Sequence, residues 1–565
     1  MSNSNTSNST RLAGHVLVDA LVQQDVDHVF CVPGESYLAV LDGLHDVNDR
    51  IKTIVCRQEG GAANMAEAYG KLTGKPGICM VTRGPGATNA SIGVHTAFQD
   101  STPMILFIGQ IGSDCTDREA FQEVDYRQMF GPLAKWVGQI DRADRVAEYV
   151  SHAFHVAQSG RKGPVVLALP EDMLTTATAP ANIRKAPVVQ ASPSAGQMQQ
   201  LQSLLAGAKK PLAILGGSGW TAEAREQFMR WCEYSQLPVS CAFRFQDCFD
   251  NNHPLYCGDV GIGINPKLAA RVKDADVLLV LGPRLGEMTT SGYTLIDIPV
   301  PKQKLIHVHT GASELGRVYQ GELLINSGMP EFIAMLDQVK LPKDAYREYS
   351  QAARADYEAW QAPVTIPGKV QMFEVMKHLN ATLPADAILT NGAGNYATWL
   401  HRYYRFRGFK TQLAPTSGAM GYGAPAAVAA KIVAPHRDAV CFAGDGCFLM
   451  NGQELATAVQ YNAGTIFLVI NNGMYGTIRM HQEKTYPARV QGTELVNPDF
   501  AAYARAFGAM GEVVEDTSQF APAFDRALAH TRAGKGPALL ELRIDPQAIT
   551  PTATLDSMRK AAQKQ

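Results

Sequence analysis

Ala439-Val-Cys-Phe-Ala443-Gly-Asp445-Gly446 is an apolar run that stops at a Gly-Asp-Gly turn, and Thr465-Ile-Phe-Leu-Val-Ile470-Asn471-Asn472 is a second run that stops at paired asparagines. Between them, Gly452 to Tyr461 carries a helical pattern. A short apolar run, a turn, a helix and a second short run make a β-turn-helix-β unit. In such a unit Asp445 and Asn472 both sit at carboxyl ends of neighbouring strands and reach one crevice. Mg2+ favours near-octahedral oxygen coordination and commonly takes one or two protein carboxyl or amide oxygens together with phosphates. Glycines beside Asp445 let the backbone approach a phosphate, and a helix starting nearby offers unpaired N–H groups to it. A lone Gly-Asp-Gly is an ordinary strand-end turn. With Asn471-Asn472 at this separation, the pair points to a diphosphate held through a divalent cation.

The same strand-and-helix style extends outward in both directions. Short Val/Ile/Leu runs at Val29–Val32, Ile78–Val81, Met104–Ile108 and Val165–Ala168 precede a loosened stretch near Pro180. Leu212–Leu215, Val277–Leu281 and Leu305–Val308 form a second group, which fades around Leu341, and Val440–Ala443, Ile466–Ile470 and Ala538–Leu542 a third. Strands apolar on both faces and separated by helices predict parallel sheets covered on both sides. The expectation is an α/β chain of three doubly wound parallel-sheet domains in series, at 11–180, 194–341 and 367–551. The first and third groups share a style that suggests similar folds. The Ser/Asn/Thr-rich residues 1–10 read as a disordered leader.

Composition narrows the partners. A chain of 565 residues is too long for one core and suggests about three domains. Its formal net charge of -2 leaves no basic footprint for nucleic acid, so small molecules are the expected partners. No run approaches the roughly 18 apolar residues of a membrane span. Ten cysteines without a Cys-x-x-Cys pair fit reduced thiols and a cytoplasmic location.

With the Gly-Asp-Gly…Asn-Asn pair in hand, the chain from about Leu12 to Pro551 resembles the thiamine-diphosphate-dependent enzyme family, most closely its acetolactate synthase-like members. The resemblance implies thiamine diphosphate and Mg2+, with metal ligands from Asp445, Asn472 and the main-chain carbonyl of Met474. It places Gly394, Asn395 and Tyr396 of Asn391-Gly-Ala-Gly-Asn-Tyr396 at the diphosphate, with Gly444, Gly446, Cys447 and Tyr475 completing the cofactor-binding set. In Thr416-Ser-Gly418-Ala-Met420, Met420 would wedge between the two cofactor rings and the carbonyl of Gly418 would receive the aminopyrimidine. Glu59, in Arg57-Gln-Glu59-Gly-Gly-Ala, matches the essential glutamate that hydrogen-bonds the pyrimidine and promotes its imino tautomer. That acid argues against the glyoxylate carboligase branch, which lacks it. Taken from the residues alone, Glu59 is a helix-start charge and Met420 a core gap-filler.

Substrate residues are read from the same resemblance. Val81-Thr-Arg83-Gly-Pro-Gly86 looks like a glycine-rich active-site turn, and Phe121, Gln122 and Lys135 resemble positions lining the substrate channel. Glu35 replaces the glycine usual after Pro33-Gly34, and with Arg83 and His95 could shape an unusual pocket. Ile478 stands where simple pyruvate decarboxylases carry a glutamate. Thr477 and His481 stand where branched-chain acetohydroxyacid synthases carry Met and Trp, which leaves Glu35, Arg83, Lys135, Thr477 and His481 as the substrate set. In the middle block, Leu212 to Gly219 is a weak dinucleotide fingerprint without its ribose acid. Gly282-Pro-Arg284 matches a turn that holds FAD in acetolactate synthases, so FAD stays open, although Ile306-His-Val-His309 replaces the expected Asp-bearing strand end. His307 and His309 alone fall short of a metal site.

The resemblance implies decarboxylation of a 2-oxo acid with acyl transfer to an oxo-acid or aldehyde acceptor. A non-carboligating decarboxylase, a benzaldehyde-lyase-like acyloin enzyme and a catalytically silent regulatory paralogue are the alternatives. Relatives build each site from two subunits, so a homodimer or homotetramer is expected, and a regulatory subunit stays open.

Overall fold

The computed structural model describes residues 10–180 and 182–564. The expected leader lies outside the described residues except for Thr10. The chain divides into two compact units at Val189/Gln190.

The first unit holds a six-stranded parallel sheet in the spatial order Lys52–Val55, His28–Cys31, Gly77–Val81, Met104–Gln110, Pro164–Pro170, Trp136–Gln139. Three central strands are buried along their whole length, which is why they read as unbroken apolar runs. The helices Glu59–Thr73 and Pro85–Asp100 pack closely, because small residues let their backbones approach: a Cβ on Gly93 would lie 2.4 Å from that of Ala63. A two-stranded antiparallel pair, Arg11–Leu12 with Ala177–Thr178, ties the ends of the unit together.

The second unit holds two further six-stranded parallel sheets, confirming an α/β chain with three such sheets in series. One runs Tyr256–Asp259, Val239–Cys241, Pro211–Leu215, Val277–Leu281, Lys304–His309, Leu323–Asn326. Counted in chain order this is 3-2-1-4-5-6, a doubly wound order associated with dinucleotide folds. The other runs Gln412–Leu413, Ile388–Asn391, Ala439–Gly444, Thr465–Asn471, Ala538–Arg543, Met510–Val514. Its local order, 2-1-3-4-6-5, is the same as that of the first unit's sheet. The shared style of the two blocks is therefore a shared topology. Backbone and amide bonds join the two sheets of this unit: buried Asp247 accepts from the N–H groups of Thr411 (2.9 Å) and Gln412 (3.2 Å).

Observed strands run slightly past the apolar runs, since a ladder tolerates a polar end residue. The helical pattern from Gly452 resolves into a 3-10 turn, Gly452–Glu454, leading into the helix Leu455–Gln460, and a further short helix, Asp445–Leu449, starts at the Gly-Asp-Gly turn itself. Among the described residues, no helix is long and apolar enough to cross a membrane.

Candidate active site

In an open parallel sheet, ligands bind outside the carboxyl ends of the strands where the strand order reverses. In the third sheet that point lies between Ile388–Asn391 and Ala439–Gly444. A cavity of about 260 Å3 lies there. Gly394, Asn395 and Tyr396 line it from the first strand's exit, Gly418 and Met420 from the loop before the helix Gly423–Val433, Gly444 to Cys447 from the second strand's exit, and Asn472, Met474 and Tyr475 from the exit of Thr465–Asn471. Every residue assigned from sequence to cofactor binding in this block thus lines one cavity.

Close backbone approach makes the cradle. A Cβ on Gly444 or on Gly394 would lie 2.7 Å and 2.6 Å, respectively, from the ring of Tyr396, so only glycine fits at either position. Tyr396 in turn donates to Cys447 Sγ (3.1 Å) and receives the N–H of Gly392 (3.1 Å). Asp445 is the first residue of its helix and is 2% exposed. Burial pushes its carboxyl above the usual range, and its Oδ2 receives Asn497 Nδ2 (2.7 Å) and the N–H of Gly473 (3.0 Å). A buried carboxylate with this partial compensation is what a cation would stabilise.

The two asparagines split their tasks. Asn472 lines the cavity and its Oδ1 accepts from the N–H of Met474 at 3.3 Å. Asn471 faces the scaffold, donating to Glu541 Oε1 (2.9 Å) and accepting from Asn497 (3.0 Å). Asn497, which bridges Asp445 and Asn471, carries no local motif and was not foreseen.

The helix Gly476–Thr485 forms one wall. Thr477 lines the cavity, but its hydroxyl is committed to Asn395: it receives the Asn395 N–H (2.9 Å) and donates to Asn395 Oδ1 (3.1 Å). The polar atom of Thr477 thus orients a cradle residue from within the cavity wall. Ile478 lines the mouth and is 54% exposed, so an apolar group stands where a decarboxylase acid was considered. His481, one turn on, is exposed and lies outside the residues lining the cavity. Ile544, Ala548 and Ile549, from the segment after the last strand, supply apolar wall that the sequence did not announce.

That segment is fastened through Glu483, which is buried on the wall helix. Arg559 of the helix Leu555–Ala562 binds it at 2.6 and 2.8 Å, and Arg479 at 3.0 Å. The Arg559 guanidinium first, then the N–H of Ala488 and Arg479, hold its carboxyl down to about 2 against the opposing effect of burial. A depressed folded value gives stability that is present above the unfolded value of about 4.5 and is lost as pH falls toward about 2. Glu483→Gln is expected to cost about 3 kcal/mol and to remove this acid dependence, checked by thermal unfolding between neutral and acid pH. An unchanged melting profile would contradict it.

In the first unit, Glu59 opens the helix Glu59–Thr73 at the carboxyl end of Lys52–Val55, and its Oε2 receives Asn89 Nδ2 at 2.9 Å. Glu35, Arg83 and the loop carrying Phe121 and Gln122 meet at the same edge. Arg83 Nη2 donates to Glu35 Oε1 (3.3 Å), the Arg83 Cζ lies 5.9 Å from the Phe121 ring centre, and the Gln122 carbonyl packs against Gly84. Lys135 does not join them. It precedes the strand Trp136–Gln139, at the amino edge of the sheet, and its Nζ donates to the carbonyls of Val156 and Ser159 at the end of a helix. His95 sits exposed about 15 Å along the helix from its start, and none of its described contacts reaches Arg83 or Glu35.

At the middle sheet's switch point, between Pro211–Leu215 and Val277–Leu281, the two exit loops touch each other. Buried Trp220 donates to the carbonyl of Gly216 (2.9 Å), and a Cβ on Gly217 would meet the carbonyl oxygen of Gly282 at 2.1 Å. Arg284 pairs with Glu314 at 3.2 Å. These contacts lend no support to a flavin dinucleotide in that crevice. His307, pushed down by burial, donates to the carbonyl of Pro283 (2.9 Å), and among the described residues no three His, Cys, Asp or Glu are placed to hold a metal.

Comparison with known proteins matches three stretches of the chain. Residues 11–129 match the family described as thiamine pyrophosphate enzyme, N-terminal TPP binding domain, 198–336 its central domain, and 392–542 its C-terminal TPP binding domain. The chain is 31% identical over 522 residues to an acetolactate synthase large subunit of Parasynechococcus marenigrum, covering 88% of this chain and 83% of the relative. It is 30% identical over 552 residues to an acetolactate synthase of Arthrospira platensis, covering 94% and 93%. An isozyme 2 large subunit from Escherichia coli is 29% identical over 534 residues, covering 94% and 95%.

Proposed function

Because the chain belongs to the thiamine-diphosphate-dependent enzyme family, in its acetolactate synthase-like branch, we propose that it decarboxylates a 2-oxo acid and transfers the acyl unit to an oxo-acid or aldehyde acceptor. The observation that carries this reading is the cavity at the third sheet's switch point, to which four separate segments bring a buried carboxylate, an amide and a glycine cradle. When bound, thiamine diphosphate supplies the carbon nucleophile and electron sink that the chemistry needs.

The residues divide the remaining work. Asp445, Asn472 and the Met474 carbonyl would hold Mg2+ against the diphosphate, with phosphate oxygens and water completing an oxygen shell. Gly394, Asn395 and Tyr396 would bind the diphosphate, and Thr477 keeps the Asn395 amide oriented. Met420 would set the angle between the cofactor rings, and the Gly418 carbonyl would accept from the aminopyrimidine. Glu59, oriented by Asn89, would hold the proton exchanged with the pyrimidine ring. Ile478 at the mouth leaves no carboxylic acid there to protonate a decarboxylated product, which supports carboligation over simple decarboxylation. A homodimer, or a tetramer built from it, acting in the cytoplasm completes the reading. Two of the relatives above are named large subunits, so a second, smaller partner is part of what purification should look for.

The test is a screen of 2-oxo acids with thiamine diphosphate and Mg2+, following CO2 release against carbon-carbon product on protein whose absorption spectrum has been recorded. Cofactor-dependent CO2 release matched by coupled product, from colourless protein, is expected. CO2 with free aldehyde alone would favour the decarboxylase alternative, no release from any 2-oxo acid would refute the reading, and a flavin spectrum in active protein would overturn the reading of the middle crevice.

A further inference from the structure

The first unit's sheet has the same strand order as the third, so it has its own switch point, between His28–Cys31 and Gly77–Val81. The segments that diverge there are Pro33-Gly34-Glu35-Ser36 and Thr82-Arg83-Gly84. They are locked side by side: Ser36 Oγ and Thr82 Oγ1 are 2.9 Å apart, and a Cβ on Gly34 would lie 2.4 Å from that of Thr82. Glu35 and Arg83 therefore stand together at the position where parallel sheets recognise ligands.

Arg83 is poorly satisfied for a buried cation. Its side chain is 11% exposed, yet its contacts are long: Glu35 Oε1 at 3.3 Å, Glu171 Oε2 at 3.6 Å. Its Nε is buried without a hydrogen-bond partner. A guanidinium that meets a carboxylate well does so in a planar, two-pronged contact at about 2.7–2.9 Å. The two flanking carboxylates are themselves open to solvent, with side chains 70% and 46% exposed, so either has room to give way. Glu59, at the same edge, is also acidic. An anionic substrate arriving here meets Arg83 flanked by carboxylates.

Resting on the reading above, we propose that Arg83 receives the carboxylate of a 2-oxo acid substrate and that Glu35 competes with it for the same guanidinium. Only a monocarboxylate suits the site, since a second carboxylate would face Glu35 and Glu171. The donor and the acceptor oxo acid share this chemistry.

The competition has a signature that a merely structural ion pair lacks: removing its two partners moves binding in opposite directions. Calorimetric titration of the holoenzyme with oxamate, an inert monocarboxylate of oxo-acid shape, is expected to show about 30-fold weaker binding in Arg83→Gln, partial rescue in Arg83→Lys, and about threefold tighter binding in Glu35→Gln. Measuring KM for the donor from CO2 release without acceptor, and for the acceptor at saturating donor, shows which of the two shifts in the same pattern. A gain in Glu35→Gln cannot arise from misfolding, so that variant decides if Arg83→Gln fails to fold. Unchanged oxamate affinity in both variants, weaker affinity in both, or no oxamate binding by the unaltered protein would overturn the proposal. Failure of the unaltered protein to release CO2 from any 2-oxo acid would count against the proposed activity instead, and calorimetry would still decide the role of Arg83.

Discussion

Glu59→Gln is expected to lower turnover by about a thousandfold or more while leaving the fold and cofactor affinity nearly intact. The substitution keeps the side chain's shape at the first position of the helix Glu59–Thr73, and an amide oxygen can still accept from Asn89 Nδ2. What disappears is the exchangeable proton. The diphosphate cradle and the Asp445 cluster belong to a different part of the chain and are untouched. Steady-state turnover should collapse while a thiamine diphosphate titration, followed by the cofactor's effect on melting temperature, stays within a few-fold of the unaltered protein. Normal turnover would remove Glu59 from the chemistry. Thiamine diphosphate binding without any turnover in the unaltered protein would instead favour the view that the chain is a silent, cofactor-binding relative.

Asp445→Ala should fail differently. It removes the carboxylate on which the cation depends and leaves the Gly473 N–H and the Asn497 amide to share Asn471 Oδ1 alone inside a buried site. Loss of a metal ligand is expected to weaken Mg2+ and thiamine diphosphate together, by more than about a hundredfold, with activity lost at ordinary concentrations of both. Asp445→Asn separates charge from shape: an amide oxygen still receives Gly473 N–H, so the melting temperature without cofactor should stay close to that of the unaltered protein while metal affinity falls. Full activity of Asp445→Ala at unchanged Mg2+ would exclude it as a ligand.

The strands were legible because a parallel strand buried on both faces has no alternation to obscure it, and Ala439–Gly444 and Thr465–Asn471 appear in the sequence almost to the residue. The cradle was legible for a related reason: Gly394, Gly444 and Asp445 meet backbone or cofactor demands that only particular residue types satisfy. Lys135 and His481 lie apart from the groups with which the sequence pattern joins them. Local sequence marks a loop beside a strand but not the edge of the sheet to which the loop belongs, and Lys135 falls on the amino edge, capping a helix. It marks a helix after Asn472 but not the angle at which that helix presents its faces, so Thr477 turns to Asn395 and His481 to solvent.

Asn497, Ile549 and Arg559 belong to a third class, distant in the chain from what they support and anonymous in isolation. Asn497 matters because it lies within 2.7 Å of Asp445 and 3.0 Å of Asn471. Strand order is the decisive example. The sequence by itself determined an α/β chain with buried strands, a Gly-Asp-Gly turn and a partner asparagine, since these depend on interactions within a few residues and on burial. Only the tertiary structure decided the 2-1-3-4-6-5 order, and with it the two places where the sheets open. Pairing between strands is a competition among contacts far apart in the chain. Its outcome puts Gly394 beside Gly444 in one sheet and Glu35 beside Arg83 in another.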